Sequence, residues 1–297
     1  MRPIKAIAID IDGTLVAPEQ EVTPRVRRAV AEAQERGILV MLATGRRYDS
    51  ALPFAQALRL EGPIIVSGGA AVCHTPSGEM YYEDVLPAEG TAACTDLLCD
   101  YELQPLLRER HGAGHRLFLG PEHFDNEATA EYVRREVHGV VRLPHQHLRH
   151  TSDVLFAAGL SPDEDLLQRL ALEVARIPGV VPMVLPPGPP SVLGSPVLDI
   201  FSAGTCKARA LRFVSERFGF DLAETMAIGD GINDVDLLAA VGLPVAVGNA
   251  IPEVKALAQE VVSGVDEDGV AEAIEKLVLG ETPSLGAASA SPAVDPG

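Results

Sequence analysis

The 297-residue sequence contains no tryptophan, and aromatic residues make up only 4% of it. Proteins that bind single-stranded nucleic acid stack bases on aromatic side chains, so that class is disfavoured. Only four lysines occur, Lys5, Lys207, Lys255 and Lys276, and 42 acids against 24 bases leave a formal charge of −18. Such a surface repels a phosphate backbone, which argues against nucleic-acid partners in general. No apolar stretch reaches the roughly 18–20 residues that span a bilayer. The N-terminal MRPIKAIAIDIDG meets acids before a signal-like apolar core can form. A cytoplasmic protein without membrane partners is expected, and its oligomeric state leaves no readable mark. Cys73, Cys94, Cys99 and Cys206 include no C-x-x-C pair, so reduced structural thiols are expected.

What is present is globular: 47% hydrophobic and 22% charged residues, in a chain long enough for two domains. Apolar strand-like runs alternate with amphipathic stretches, the pattern of a parallel α/β sheet. Ile4 to Asp10 reads as a buried strand, and Thr23 to Arg36 as a helix with Thr23 as N-cap and Pro24 in its first turn. GILVMLAT and PIIVSGG supply the next strands. From about Met80 to Pro190 the texture changes. Seven of the eight histidines fall there, no lysine does, and helical stretches are expected at Gly90–Tyr101, Glu122–Val137 and Pro162–Ile177. The Pro-rich segment Leu185–Pro196 reads as a return linker, after which strands and helices alternate again. The expected architecture is a Rossmann-like parallel-sheet core, residues 1–79 and 191–280, with an inserted α+β domain at 80–190. A disordered tail is expected at 281–297, rich in Ala, Ser and Pro.

Four groups carry chemistry. The first strand ends in Asp10-Ile11-Asp12-Gly13-Thr14. Carboxylates two residues apart point to the same side of an extended chain, at the strand end where open α/β sheets hold ligands. Two crowded negative charges call for a compensating cation, Mg²⁺ by preference, although Asp-Gly-Thr by itself also reads as a turn. Thr44-Gly45-Arg46 follows the second strand, where a hydroxyl and an approachable N–H suit phosphate oxygens. Asp230, with Asn233 and Asp234 opening the next helix, adds oxygen ligands for a hard cation, while Gly-Asp-Gly and an N-cap are the plainer reading. Lys207 stands near the start of the helix after the insert, where an ammonium among carboxylates would hold a nucleophile ionised and attract phosphate. His145, His147 and His150 lack the Cys or acid pattern of a metal site and read as surface residues.

In chain order, strand-end position and residue type, these four groups resemble the motifs of the haloacid dehalogenase-like superfamily. DIDGTLV is similar to its first motif, LATGR to its second, Lys207 to its third and GDGINDVDLL to its fourth. The likeness is to the Cof-like branch, with an α+β cap of type IIB between the second and third motifs; AVGNA and DEDGVAEAI also look like this branch. Two positions depart from it: Gly68 stands where the family usually has Asn, and Asp199 where Glu is frequent.

The resemblance implies a phosphatase for small phosphorylated, sugar phosphate-like metabolites. Asp10 is the implied nucleophile, forming an aspartyl-phosphate, and Asp12 the acid that then serves as base. Mg²⁺ would be held by Asp10, the Asp12 carbonyl and Asp230, supported by Asn233 or Asp234. Thr44, Gly45, Lys207 and Arg46 would hold the substrate. A carboxylate at position 12 disfavours halide chemistry, which needs no acid. A phosphomutase of the same superfamily and a non-catalytic phosphometabolite-binding regulator are the alternatives. Arg108, Arg110, His111 and Arg116 are candidates for touching the leaving group.

Overall fold

The structure, a computed structural model, describes residues 3–18, 20–110, 116–134, 139–185, 187 and 194–280. The tail expected at 281–297, and His111, lie outside the described residues. Strands before the insert are β1 (Ala6–Ile9), β2 (Leu39–Leu42), β3 (Pro63–Val66), β4 (Ala71–His74) and β5 (Met80–Glu83). The next six are β6 (Leu106–Glu109), β7 (Leu117–Leu119), β8 (Val140–Arg142), β9 (Val154–Leu160), β10 (Val180–Leu185) and β11 (Val197–Ser202). β12 (Thr225–Gly229), β13 (Leu243–Ala246) and β14 (Glu260–Val261) complete the series.

A five-stranded sheet in the order β14-β13-β12-β1-β2 is parallel throughout. Both of its faces are covered, so β1 is an unbroken apolar run, AIAI, buried at every position. Ile7 and Ile9 pack against Val26 and Val30 of the helix Pro24–Glu35 and Ile274 of the helix Gly269–Ile274. Ala6 and Ala8 face Ala210, Leu211 and Val214 of the helix Lys207–Phe218. Thr23 caps the first of these helices, its hydroxyl accepting the Val26 N–H at 3.2 Å. One parallel bridge, Ala43 to Ile65, joins β3 to the β2 side of this sheet.

The six-stranded sheet has the order β10-β11-β9-β6-β7-β8 and is antiparallel except between β7 and β8. Alternation along its strands splits it into two faces. Leu198 and Ile200 pack under Leu98 of the helix Ala88–Asp100 and Leu167, Leu170 and Val174 of the helix Glu164–Val174. Val197 and Phe201 point the other way and join the core of the parallel sheet, with the Phe156 and Phe201 rings 5.6 Å apart.

Two segments sit elsewhere than expected. Met80–Glu83 pairs with β4 in the three-stranded sheet β3-β4-β5, rather than opening the insert. Val197–Ser202, expected after the return at 191, lies between β9 and β10 in the six-stranded sheet. An apolar run alone does not name its partner, and both assignments are decided by pairing across the chain. The helix expected from Glu122 begins at Glu127, where Asn126 Oδ1 accepts the Thr129 N–H at 2.9 Å. No helix among the described residues is long and apolar enough to cross a membrane.

Candidate active site

Asp10, Thr44 and Asp230 each stand just beyond the carboxyl end of a parallel strand, β1, β2 and β12 respectively. Adjacent strands in register bring these ends together, which is why residues 220 positions apart share one site. Lys207 is the first residue of its helix and only 1% exposed. Its ammonium donates to Asp10 Oδ1 and to Asp234 Oδ1, both at 2.6 Å. The second Asp234 oxygen accepts the N–H groups of Asp230 at 3.1 Å and Gly231 at 3.0 Å. Asp230 Oδ1 accepts the Thr14 hydroxyl at 2.7 Å.

Carboxylate oxygens of Asp10, Asp230 and Asp234 thus lie within 4.8 Å of one another. Burial raises the Asp10 carboxyl well above its ordinary range, and the Asp234 and Asp230 charges add to this against the opposing pull of Lys207. Burial likewise pushes Asp230 up to about 6, opposed by its bond from Thr14. Burial works against the Lys207 ammonium, but Asp10 and Asp234 more than offset it and keep the lysine protonated. Three acids facing one lysine remain a net negative pocket of hard oxygen donors. That donor set fits a divalent cation such as Mg²⁺, whose charge would favour the ionised carboxylates. Among the described residues the histidines form no comparable cluster.

Gly13 allows this crowding. It has φ +80°, and a Cβ there would stand 2.4 Å from Asp230 Oδ2. Gly13→Ala combines backbone strain with displacement of a ligand carboxylate, and is expected to lower the melting temperature by several degrees. Apparent Mg²⁺ affinity should fall with it, read by calorimetric titration; an unchanged titration would contradict this placement.

Asp12 is only 6% exposed and is gripped by Arg46, with Nε to Oδ2 at 2.8 Å and Nη2 to Oδ1 at 2.5 Å. Arg46, expected on the substrate, is therefore committed to Asp12 and stacks over Phe54 at 4.7 Å. Thr44 is fully buried, its Oγ1 accepting the Arg46 N–H at 3.0 Å. Gly45, Lys207 and Asn233 reach a cavity of about 300 Å³ whose other walls include Asp199, Phe201, Met183 and Gly68. Arg108, Arg110 and Arg116 are not among its lining residues. Arg108 is buried within β6, Arg110 pairs with Asp153 at 3.0 Å, and Arg116 makes two bonds to Glu109 at 2.8 and 2.6 Å.

Sequence reasoning assigned no role to Asp199, Thr14 or Asp236, whose Oδ2 accepts the Ala208 N–H at 3.0 Å beside the Lys207 turn. Asp199 had a signal: it is the one acid within the otherwise apolar VLDIF. Burial raises its carboxyl to about 7.

The description of the family whose model matches residues 7–274 is haloacid dehalogenase-like hydrolase. The chain belongs to that family. The six-stranded insert with helices on one face places this haloacid dehalogenase-like hydrolase in the Cof-like branch with a type IIB cap. It is 28% identical over 276 residues to the 5-amino-6-(5-phospho-D-ribitylamino)uracil phosphatase YcsE of Bacillus subtilis (strain 168), covering 93% of this chain and 96% of that one. Similarity to the pyridoxal phosphate phosphatase YbhA of Escherichia coli (strain K12) is 27% over 285 residues, covering 91% and 97%. A solved haloacid dehalogenase-like hydrolase from Bacteroides thetaiotaomicron superposes with a TM-score of 0.75 at 29% identity, covering 92% of this chain and 99% of that one. As a Cof-like member of the family, the chain is a phosphoric monoester hydrolase.

Proposed function

We propose that this hydrolase releases phosphate from small phosphorylated metabolites, with Asp10 as nucleophile and Mg²⁺ as cofactor. The observation that carries the proposal is the convergence of Asp10, Asp230 and Asp234, with Lys207, at the carboxyl ends of β1 and β12. Asp10, the Asp12 carbonyl and Asp230 would hold the metal, with Asn233 and Asp234 supporting it. When bound, it supplies positive charge to the phosphoryl oxygens and to the ionised carboxylates.

An Asp10 oxygen attacks phosphorus, and the bond to the ester oxygen breaks as the aspartyl-phosphate forms. Asp12 gives its proton to the departing oxygen. It then takes a proton from the water that attacks the same phosphorus, which releases inorganic phosphate and restores Asp10. Arg46 holds the Asp12 carboxyl through two bonds, which fixes where that side chain stands before substrate arrives. Gly45 lines the cavity, where its N–H would donate to a phosphoryl oxygen, with the Thr44 hydroxyl as the second donor. Lys207 opposes the protonation of Asp10 that burial favours.

Chelation should lower phosphate release from a monoester panel by at least about 100-fold, with Mg²⁺ restoring it. Because Asp230 rises to about 6, protons compete with the metal, and apparent Mg²⁺ affinity should fall about ten-fold per pH unit below that value. A rate indifferent to chelation would refute the metal assignment. An isomerised sugar phosphate, in place of free phosphate, would favour the mutase.

A further inference from the structure

Asp10, Thr44 and Asp230 take their places from strand ends held in register within the parallel sheet. Lys207 does not. Its chain leaves β11, a strand of the six-stranded sheet, and after residues 203–206 turns straight into the helix Lys207–Phe218. An ammonium that stands 2.6 Å from both Asp10 and Asp234 therefore depends on the passage that returns from the insert. Sheet register cannot hold that passage still, so side chains must.

Asp84 reaches it from the other passage. It directly follows β5, on the segment that leads out to the insert, and its N–H donates to the Ala70 carbonyl at 2.8 Å. Its Oδ2 accepts the Thr205 hydroxyl at 2.8 Å and the Arg209 guanidinium at 3.0 Å. These partners lie just before and just after Lys207 in the chain. One carboxylate thus grips both sides of the turn that carries the lysine, and joins the outgoing segment to the returning one. Thr205 is buried and Arg209 half exposed, so water and salt screen the threonine bond less than the ion pair.

The same turn is held at its backbone. Asp236 Oδ2 accepts the Ala208 N–H at 3.0 Å. Gly69 has φ +99°, and a Cβ there would stand 2.3 Å from the Cys206 carbonyl oxygen, so backbone meets backbone immediately ahead of Lys207. Contacts with the insert begin just outside the clasp: Leu86 N–H donates to Val154 at 2.7 Å, and Ala203 N–H to Gly179 at 2.9 Å. Along both passages, the Asp84 clasp stands between these contacts and the catalytic end of the parallel sheet.

We infer that Asp84 is a positioning residue for phosphoryl transfer: by clasping Thr205 and Arg209 it fixes the Lys207 turn, and with it the place of the ammonium beside Asp10. This rests on the phosphatase reading above. Asp84 does not line the cavity, so it acts through Lys207 and not on the substrate.

The test is a double-mutant cycle read with p-nitrophenyl phosphate and Mg²⁺. Asp84→Ala should lower kcat at least about ten-fold, with KM within about two-fold of wild type. Thr205→Val removes only the shielded bond; it should lower kcat in the same direction, and serves where the alanine variant does not fold. Asp84→Asn keeps an acceptor oxygen and should retain at least about a third of wild-type kcat. In a Lys207→Met background, Asp84→Ala should lower kcat by less than about two-fold further, because the group it positions is gone. A residue that merely supports the fold would cost the same factor in both backgrounds, and that result overturns the inference. So does an unchanged kcat in both Asp84→Ala and Thr205→Val. No turnover by the wild-type protein would defeat the phosphatase reading, and the inference with it.

Discussion

Asp10→Asn should retain no more than about one ten-thousandth of the wild-type rate of phosphate release, while the protein stays folded. The amide matches the carboxylate in shape but cannot attack phosphorus, so no aspartyl-phosphate forms and hydrolysis stops at the first displacement. Stability should respond in the opposite sense. Asp10 is buried beside Asp234 and Asp230, and its charge is opposed by burial as well as by these neighbours. Removing that charge leaves Lys207 its second partner, Asp234, at 2.6 Å. The melting temperature of the metal-free variant is therefore expected to match or exceed that of the wild type. Phosphate release assays alongside thermal melts would check both halves. Residual activity within ten-fold of wild type would remove Asp10 from the nucleophile's role, and ligand binding with no wild-type turnover would favour the regulator.

Lys207→Met should produce the second large effect, acting on stability as well as rate. Methionine fills a comparable volume, but Asp10 and Asp234 are then left buried without their shared cation. Removing one partner of a buried ion pair costs about 3–5 kcal/mol, because the other charge remains uncompensated. For a chain of this size that corresponds to a loss of roughly 10 °C in melting temperature. Turnover should fall at least about 1,000-fold, since Asp10 loses the cation that opposes its protonation. Saturating Mg²⁺ should recover part of the stability, since the metal places positive charge in the same carboxylate cluster. Equal melting temperatures for variant and wild type in chelator would show that the lysine carries no such burden.

Both effects were foreseeable in kind because the motif residues sit beside strongly patterned local structure. AIAI before Asp10, LVML before Thr44 and TMAIG before Asp230 are apolar runs that announce buried parallel strands. Once such strands are placed side by side, their carboxyl ends meet, and the residues following them must share a site. Partnerships between side chains were not foreseeable in the same way. Arg46 reads equally well as a substrate ligand and as a surface charge, and only folding shows its guanidinium closed on Asp12. Asp234 reads as a helix cap, yet it also receives the Lys207 ammonium through its other oxygen. Residues 197–202 fall in the range expected to belong to the core, and their antiparallel pairing with β9 and β10 puts Asp199 and Phe201 on a cavity wall of the six-stranded sheet instead.

The low aromatic content, the scarcity of lysine and the −18 charge constrained this protein before any contact was known. They argue against broad polyanion binding and make one lysine at a motif position informative. The order of strands and of chemistry-bearing residues along the chain belongs to the sequence alone, because periodicity and spacing are local properties. Tertiary structure decided which charges compensate one another and which sheet owns a strand. It also decided that the cavity beyond the carboxylates brings Val181, Met183 and Phe201 together with Asp199, Asn233 and Asp236. These outcomes depend on distances between segments far apart in the chain, set by strand register and side-chain packing, to which no local pattern is sensitive.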